Sequence, residues 1–195
     1  MTKAEKTKQY IIAQTATLFN KKGYAGTSLQ DITTATGLTK GSIYGNFGGK
    51  DEVALAVFDY NISKVKGILR SEVAKHHTIK GKLMAYVDVY THFPKFAFPD
   101  GGCPMLNTAV EADDTHPQLK QKARDAILRW KKSIETLIEK GMKNGEIVKP
   151  VDPEQMALTI MATIEGMIMI AGLTGKPQYR KTIMLSVSKM IEDLF

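Results

Sequence analysis

Cys103 is the only cysteine in the 195-residue sequence, and it is the one side chain suited to strong nucleophilic chemistry. It follows Gly101-Gly102 and precedes Pro104, a residue that fits the first turn of a helix. A helix N-terminus draws a thiol toward thiolate, so Cys103 reads two ways. It is an inert, small helix-start residue, or a thiol open to electrophiles and oxidants. As an enzyme nucleophile it would need a base, and His92 and His116 are the candidates. Neither a flanking signature nor a glycine-rich phosphate loop nor a pair of acid–base carboxylates accompanies them. No catalytic residue and no cofactor is therefore expected. His92, His116, Asp113 and Asp114 also invite a metal reading, but HxxxH and CxxC spacings are absent and no metal is expected. Asp114-Thr115-His116-Pro117 reads instead as the N-cap of a helix.

A second set of chemistry-bearing residues is basic. Residues 1–50 carry seven lysines (3, 6, 8, 21, 22, 40 and 50) against Glu5 and Asp31. The other 145 residues carry 20 basic and 18 acidic side chains, so most of the net charge of +7 lies in the first quarter. Such a patch attracts phosphate backbones through counterion release. A solvated basic terminus has the same composition, so the elements that carry these lysines must decide.

Hydrophobic residues make up 43% and charged residues 24%, the balance of a soluble globular protein. With a lone cysteine, no internal disulfide can form and a reducing cytoplasm is the expected compartment. MTKAEKTKQY offers no apolar stretch for a signal peptide. The most apolar segment, about 157–173, is interrupted by Glu165 and Gly166. It is read as falling short of the roughly 20 apolar residues that span a bilayer, so a buried helix and no membrane role are expected.

The periodicity is helical throughout and predicts an all-α fold of about nine helices. Ile11, Ile12, Ala16, Leu18 and Phe19 line a first helix that stops at Lys22-Gly23. Ser28 to Asp31 has the form of a capping box, opening a short second helix with Leu29, Ile32 and Ala35 inward. Gly37-Leu38-Thr39 turns the chain, and a third helix over 40–47 places Ile43 and Phe47 inward. A fourth helix starts near Lys50, and His76-His77-Thr78 breaks its pattern. A fifth covers about 79–96, a short sixth opens at Cys103-Pro104, and a long seventh covers 117–144. The eighth, about 154–176, is apolar all round except for Glu165 and so is expected to be covered on both sides. The ninth covers about 178–194.

Two short helices joined by a glycine-containing turn, after one longer helix, have helix-turn-helix proportions. With Ile43 and Phe47 inward, Gly41, Ser42, Tyr44 and Gly45 face outward and Lys40 stands at the helix start. That surface suits a major groove.

The stretch from Ala13 to Val57 also resembles a known family. Ala16-Thr-Leu-Phe19, Gly23-Tyr24, Thr27-Ser28-Leu-Gln-Asp-Ile32, Gly37-Leu38, Lys40-Gly-Ser-Ile-Tyr44, Phe47 and Lys50-Asp-Glu are similar to the DNA-binding domain of TetR-type repressors. The resemblance implies a reader domain over 1–50 and a helical effector-binding and dimerisation domain over 51–195. It implies that Thr27 and Ser28 bond phosphates, that Lys40, Ser42 and Tyr44 face the groove, and that Lys50 holds the backbone. Gly45-Asn46 departs from the family, which usually has two bulky or aromatic residues there. Asn46 then reads as a phosphate or adenine contact, or as the helix C-cap.

In the second domain, the last two helices, about 154–194, offer more apolar surface than one core uses, which predicts a two-fold homodimer. Tyr86, Tyr90, Phe93, Phe96, Met105, Asn107, Trp130, Met161 and Met169 are candidate pocket walls, and the same residue types also describe a helical core. Glu165, a carboxylate in an apolar helix, needs a partner: a cationic ligand, a Lys or Arg, or a second subunit. Gly-Cys103 before a short helix also resembles a subset of the family that senses electrophiles or oxidants. The expected partners are double-stranded operator DNA, a small-molecule effector and a second copy, with a constitutive architectural DNA binder as the alternative. The resemblance further implies that a ligand or thiol adduct moves the fourth helix and ends the match to operator spacing.

Overall fold

The structure is a computed structural model that describes residues 1–112 and 115–195. Among them are nine α-helices and no strand, in the order α1 (Lys3–Lys22), α2 (Leu29–Thr36), α3 (Lys40–Asn46), α4 (Lys50–Ala74), α5 (Ile79–Thr91), α6 (Pro104–Ala112), α7 (Pro117–Lys143), α8 (Pro153–Thr174) and α9 (Gln178–Glu192). They form two compact units, one of Met1–Lys64 with Pro99–Ala126, the other of Val65–Phe98 with Ile127–Phe195. Asp113 and Asp114, named above for metal binding and for a cap, lie outside the described residues.

In the first unit α1 packs against α2, α3 and α6. A reciprocal Thr2–Glu5 capping box starts α1, and the N–H of Gly23 closes it on the carbonyl of Phe19 at 2.9 Å. Its inward face is Ile11, Ile12, Thr15, Ala16, Phe19 and Asn20, while the expected Leu18 is only half-buried. The Ser28–Asp31 capping box starts α2. Its buried stripe is Ile32 and Thr36, which corrects the expected Leu29 and Ala35. Thr36 can turn inward because its hydroxyl donates to the Ile32 carbonyl at 2.8 Å, so no polar group is stranded. Gly37 then turns the chain at φ +68°, a left-handed conformation that glycine adopts without strain. Thr39 caps α3, accepting from the Ser42 N–H at 3.2 Å.

In the second unit α5 and α8 each pack on α9. The single helix expected over 79–96 ends as α5 at Thr91, and one 3-10 turn, Phe93–Lys95, follows. Pro94 is the reason: it lacks an N–H and disfavours helical backbone at the residue before it. Ile134 and Ile138 of α7 and Ile160 and Ile164 of α8 are at most 1% exposed. Glu135 is buried beside them and held by Lys131 at 3.1 Å and Lys132 at 3.6 Å.

Asp152 caps α8, which runs 22 residues to Gly175. Its most apolar 18-residue window has a mean hydropathy of 1.8, so by length and composition alone it could cross a membrane. The expectation that this segment is too short is thereby corrected. Within a single chain only 33% of that window is buried, so one side of the helix is bare here. Ala157, Ile160, Met161, Ile164, Met167 and Ala171 face inward, whereas Leu158, Met169, Ile170 and Leu173 are exposed.

Candidate nucleic-acid interface

The third helix is held by two side chains. Ile43 is fully buried and Phe47 nearly so, as their i, i+4 spacing predicts. This leaves Lys40, Gly41, Tyr44 and Gly45 exposed and Ser42 half-buried on the opposite side. Tyr44, a large aromatic, is 55% exposed. A Cβ placed on Gly45 would meet nothing within 4 Å, so the fold makes no demand for glycine there. Asn46 donates its amide to the Ser42 carbonyl at 2.9 Å and secures the last turn; Phe47 is the C-cap.

The turn between α1 and α2 is organised on Tyr24. Its hydroxyl donates to Asp51, and this bond, more than burial, pushes the phenol pKa up to about 12. Its ring lies under the Lys50 ammonium at 4.1 Å and meets the His116 ring edge-on at 4.6 Å. The Lys50 ammonium donates to the carbonyls of Tyr24 at 2.8 Å and Thr27 at 2.9 Å. Lys50 therefore directs two of its three protons inward, at the start of α4. Ser28 is exposed at the N-cap of α2 beside Asp31, and a bond from Lys22 at 2.8 Å, with those from Ser28, holds the Asp31 carboxyl well below the usual range.

Thr27 requires a correction. It is fully buried, its hydroxyl donates to the Gly23 carbonyl at 2.7 Å, and its N–H to Tyr24 at 3.3 Å. Both groups expected to meet phosphate are used inside the protein.

The candidate effector residues fall in both units. In the second, Tyr86, Tyr90, Trp130 and Met161 are buried, Phe93 and Glu165 half-buried. Tyr90 lies 6.1 Å from Trp130 and 5.8 Å from Phe98 between ring centres, and Phe93 stacks on Phe98 at 4.2 Å. Burial alone pushes the Tyr86 phenol up to about 12. The Trp130 indole N–H, also buried, has no hydrogen-bond partner among the described residues. Met169 is 53% exposed, so it is no pocket wall within this chain. In the first unit Cys103 and Met105 are buried, and the Cys103 carbonyl accepts from the Asn107 N–H at 3.0 Å as α6 begins. Asn107 directs its amide to the carbonyls of Asn20 at 3.0 Å and Gly101 at 2.8 Å. Among the described residues no three His, Cys, Asp or Glu side chains gather as for a metal. His116 caps α7 through Nδ1, accepting from the Leu119 N–H at 3.3 Å.

Sequence reasoning left out Asn20 and Glu111. The Glu111 carboxylate accepts the N–H groups of Tyr24 at 2.7 Å and Ala25 at 2.6 Å. No local pattern marks such a contact, which joins residues 86 and 87 positions apart.

A family profile described as "Bacterial regulatory proteins, tetR family" matches residues 11–57, and one described as "Tetracyclin repressor-like, C-terminal domain" matches residues 80–187. The chain belongs to the TetR family. Crystal structures of similar TetR-family regulators include one from Cytophaga hutchinsonii, at 45% identity and a TM-score of 0.94, covering 100% of this chain and 97% of that one. Another, from Chloroflexus aurantiacus, is 39% identical with a TM-score of 0.93, covering 98% and 97%. An HTH-type transcriptional regulator of Lactococcus lactis, from the lacX 3' region, is 30% identical over 176 residues, covering 86% of this chain and 84% of the relative. TetR-family proteins are helix-turn-helix transcriptional regulators, and the match at 11–57 takes in α2, α3 and the turn on Tyr24.

Proposed function

We propose that the protein is a cytoplasmic repressor that binds a palindromic operator as a homodimer and leaves it when a small molecule occupies the second domain. The observation that carries this reading is α3, whose Lys40, Ser42 and Tyr44 face outward while Ile43 and Phe47 anchor it. Lys40 and Ser42 bond base edges, and Tyr44 reaches groove or phosphate. The Ser28 hydroxyl and N–H both donate to Asp31, so at this helix N-terminus a phosphate is taken by the first-turn N–H groups of α2, and the remaining proton of Lys50 takes another. Asn46 keeps one amide proton and its oxygen for the backbone.

The exposed apolar residues Leu158, Met169, Ile170 and Leu173 of α8 and Leu185 of α9 support pairing with a second copy. Two-fold pairing presents two copies of α3 to a palindrome. The aromatic residues around Trp130, with its unmatched N–H, support an effector site that supplies a hydrogen-bond acceptor. Cys103 is buried at the start of α6, which favours the inert helix-start reading over a thiol open to modification.

A gel shift on the gene's own upstream DNA tests the core of this. One palindrome should be retained by a dimer, with affinity falling steeply as salt rises. Binding with no preference for any segment would overturn it.

A further inference from the structure

Glu111 lies outside the helix-turn-helix and yet holds it. It stands in the last turn of α6, and its carboxylate accepts the Tyr24 N–H at 2.7 Å and the Ala25 N–H at 2.6 Å. These amides follow the end of α1, where Gly23 turns the chain at φ +72° toward α2. A Cβ on Gly23 would fall on the Glu111 carboxylate, so the acid occupies the room that a side chain would take. The rest of the attachment of α6 buries Pro104, Met105 and Ala112 and adds further polar contacts. Asn20 donates to the carbonyls of Asp100 at 2.6 Å and Gly102 at 3.1 Å, and Asn107 bonds back to Asn20. A partly open pocket of about 30 Å³ is bordered by Asn20, Tyr24, Asn107 and Glu111 and also by Phe19, Val57, Phe58 and Leu119. Thus α6 meets this unit through apolar burial together with directed bonds. Apolar contact holds it in place, and the few directed bonds set the geometry.

We propose that Glu111 is a positioning residue for operator recognition. By fixing the Tyr24–Ala25 backbone it sets how the chain enters α2, and so how α3 is aimed. The proposal rests on the reading of α3 as the operator reader. It carries a distinctive sign. Removing a carboxylate from a basic, phosphate-seeking module leaves general attraction to DNA equal or stronger. Specific recognition, which depends on aim, should fall.

The test uses the full-length dimer, with fluorescence anisotropy on a duplex from the gene's upstream region and on poly(dI–dC). For Glu111→Ala, affinity for the upstream duplex should fall at least about tenfold, the factor equivalent to one charge-assisted hydrogen bond. Affinity for poly(dI–dC) should hold or rise, and the Tyr24 and Ala25 amides should exchange hydrogen faster. Glu111→Gln, which keeps the length and one acceptor oxygen, should recover part of the loss, and it carries the same comparison if the alanine variant does not fold. An equal fall on both DNAs would mean simple destabilisation, and an equal rise simple charge repulsion. Either overturns the proposal, as does no change on either DNA. A wild type with no preference for the upstream duplex would instead remove the operator reading, and this proposal with it.

Discussion

The two units have apolar cores but differ in the polar groups they bury. Among the described residues, six of the seven buried polar or charged ones, Thr15, Asn20, Thr27, Thr36, Asn61 and His116, lie in the unit that carries α3. Most of them bond backbone carbonyls or cap a helix: Thr15 to Ile11, Asn61 to Ala16, His116 at the start of α7. Among the described residues the other unit buries Glu135 alone of that kind, and its interior includes Ile134, Ile138, Ile160, Ile164, Met167 and Met184. Directed bonds suit a module whose task is to aim a helix within fractions of an ångström. Methionines and aromatic rings can repack around guests of different shape. The difference is in keeping with the proposal that one unit reads DNA and the other accommodates a ligand.

Substitutions can break or sharpen this contrast. The largest loss of stability is expected from Ile138→Ala, which opens a cavity in the apolar unit at a cost of about 2–5 kcal/mol. Urea unfolding should register it. Asn20→Ala should cost less, about 1–3 kcal/mol, since it removes bonds to the carbonyls of Asp100 and Gly102. If the alanine at 20 cost nothing, the unit that carries α3 would owe its stability to apolar burial and not to these bonds.

A subtler contrast is between two tyrosines. Tyr24 and Tyr86 both have phenols raised to about 12, the first chiefly by its bond to Asp51, the second by burial. A phenol raised in the folded state stabilises the fold fully below its ordinary pKa, near 10, and loses that stabilisation as pH climbs to about 12. Alkaline destabilisation is therefore expected between those values. Absorbance titration at about 295 nm should show Asp51→Ala lowering one tyrosine and leaving Tyr86 in place. Movement of both, or of neither, would contradict the two causes. The smallest structural effect is expected from Tyr44→Ala: stability within about 0.5 kcal/mol of wild type, as for an exposed position. Upstream-DNA affinity should nonetheless fall severalfold in the gel shift.

Much of this was legible in the sequence because caps and short-period contacts are local. Ser28 to Asp31, Gly37 and the Ile43–Phe47 pair occupy the places their spacing implies. Threonines misled, since a hydroxyl that bonds its own helix carbonyl can be buried like an apolar group. Thr36 thus displaced Ala35 from the inward stripe, and Thr27 was lost to the candidate phosphate contacts. Lys50 was read by its charge alone, while its direction depends on two carbonyls more than 20 residues upstream. The excess apolar surface of α8 was legible in its composition, but which residues form the outward stripe, Leu158, Met169, Ile170 and Leu173, was not.

Gly45 has a consequence for how such proteins diverge. Glycine inside a helix is about 1 kcal/mol less favourable than alanine, and here open space surrounds the missing side chain. Nearly any replacement would be accepted by the fold, with some gain in helix stability. Under the proposed reading of α3, selection at this position is free to act on DNA preference, and one codon can explore new operators at little cost to the fold.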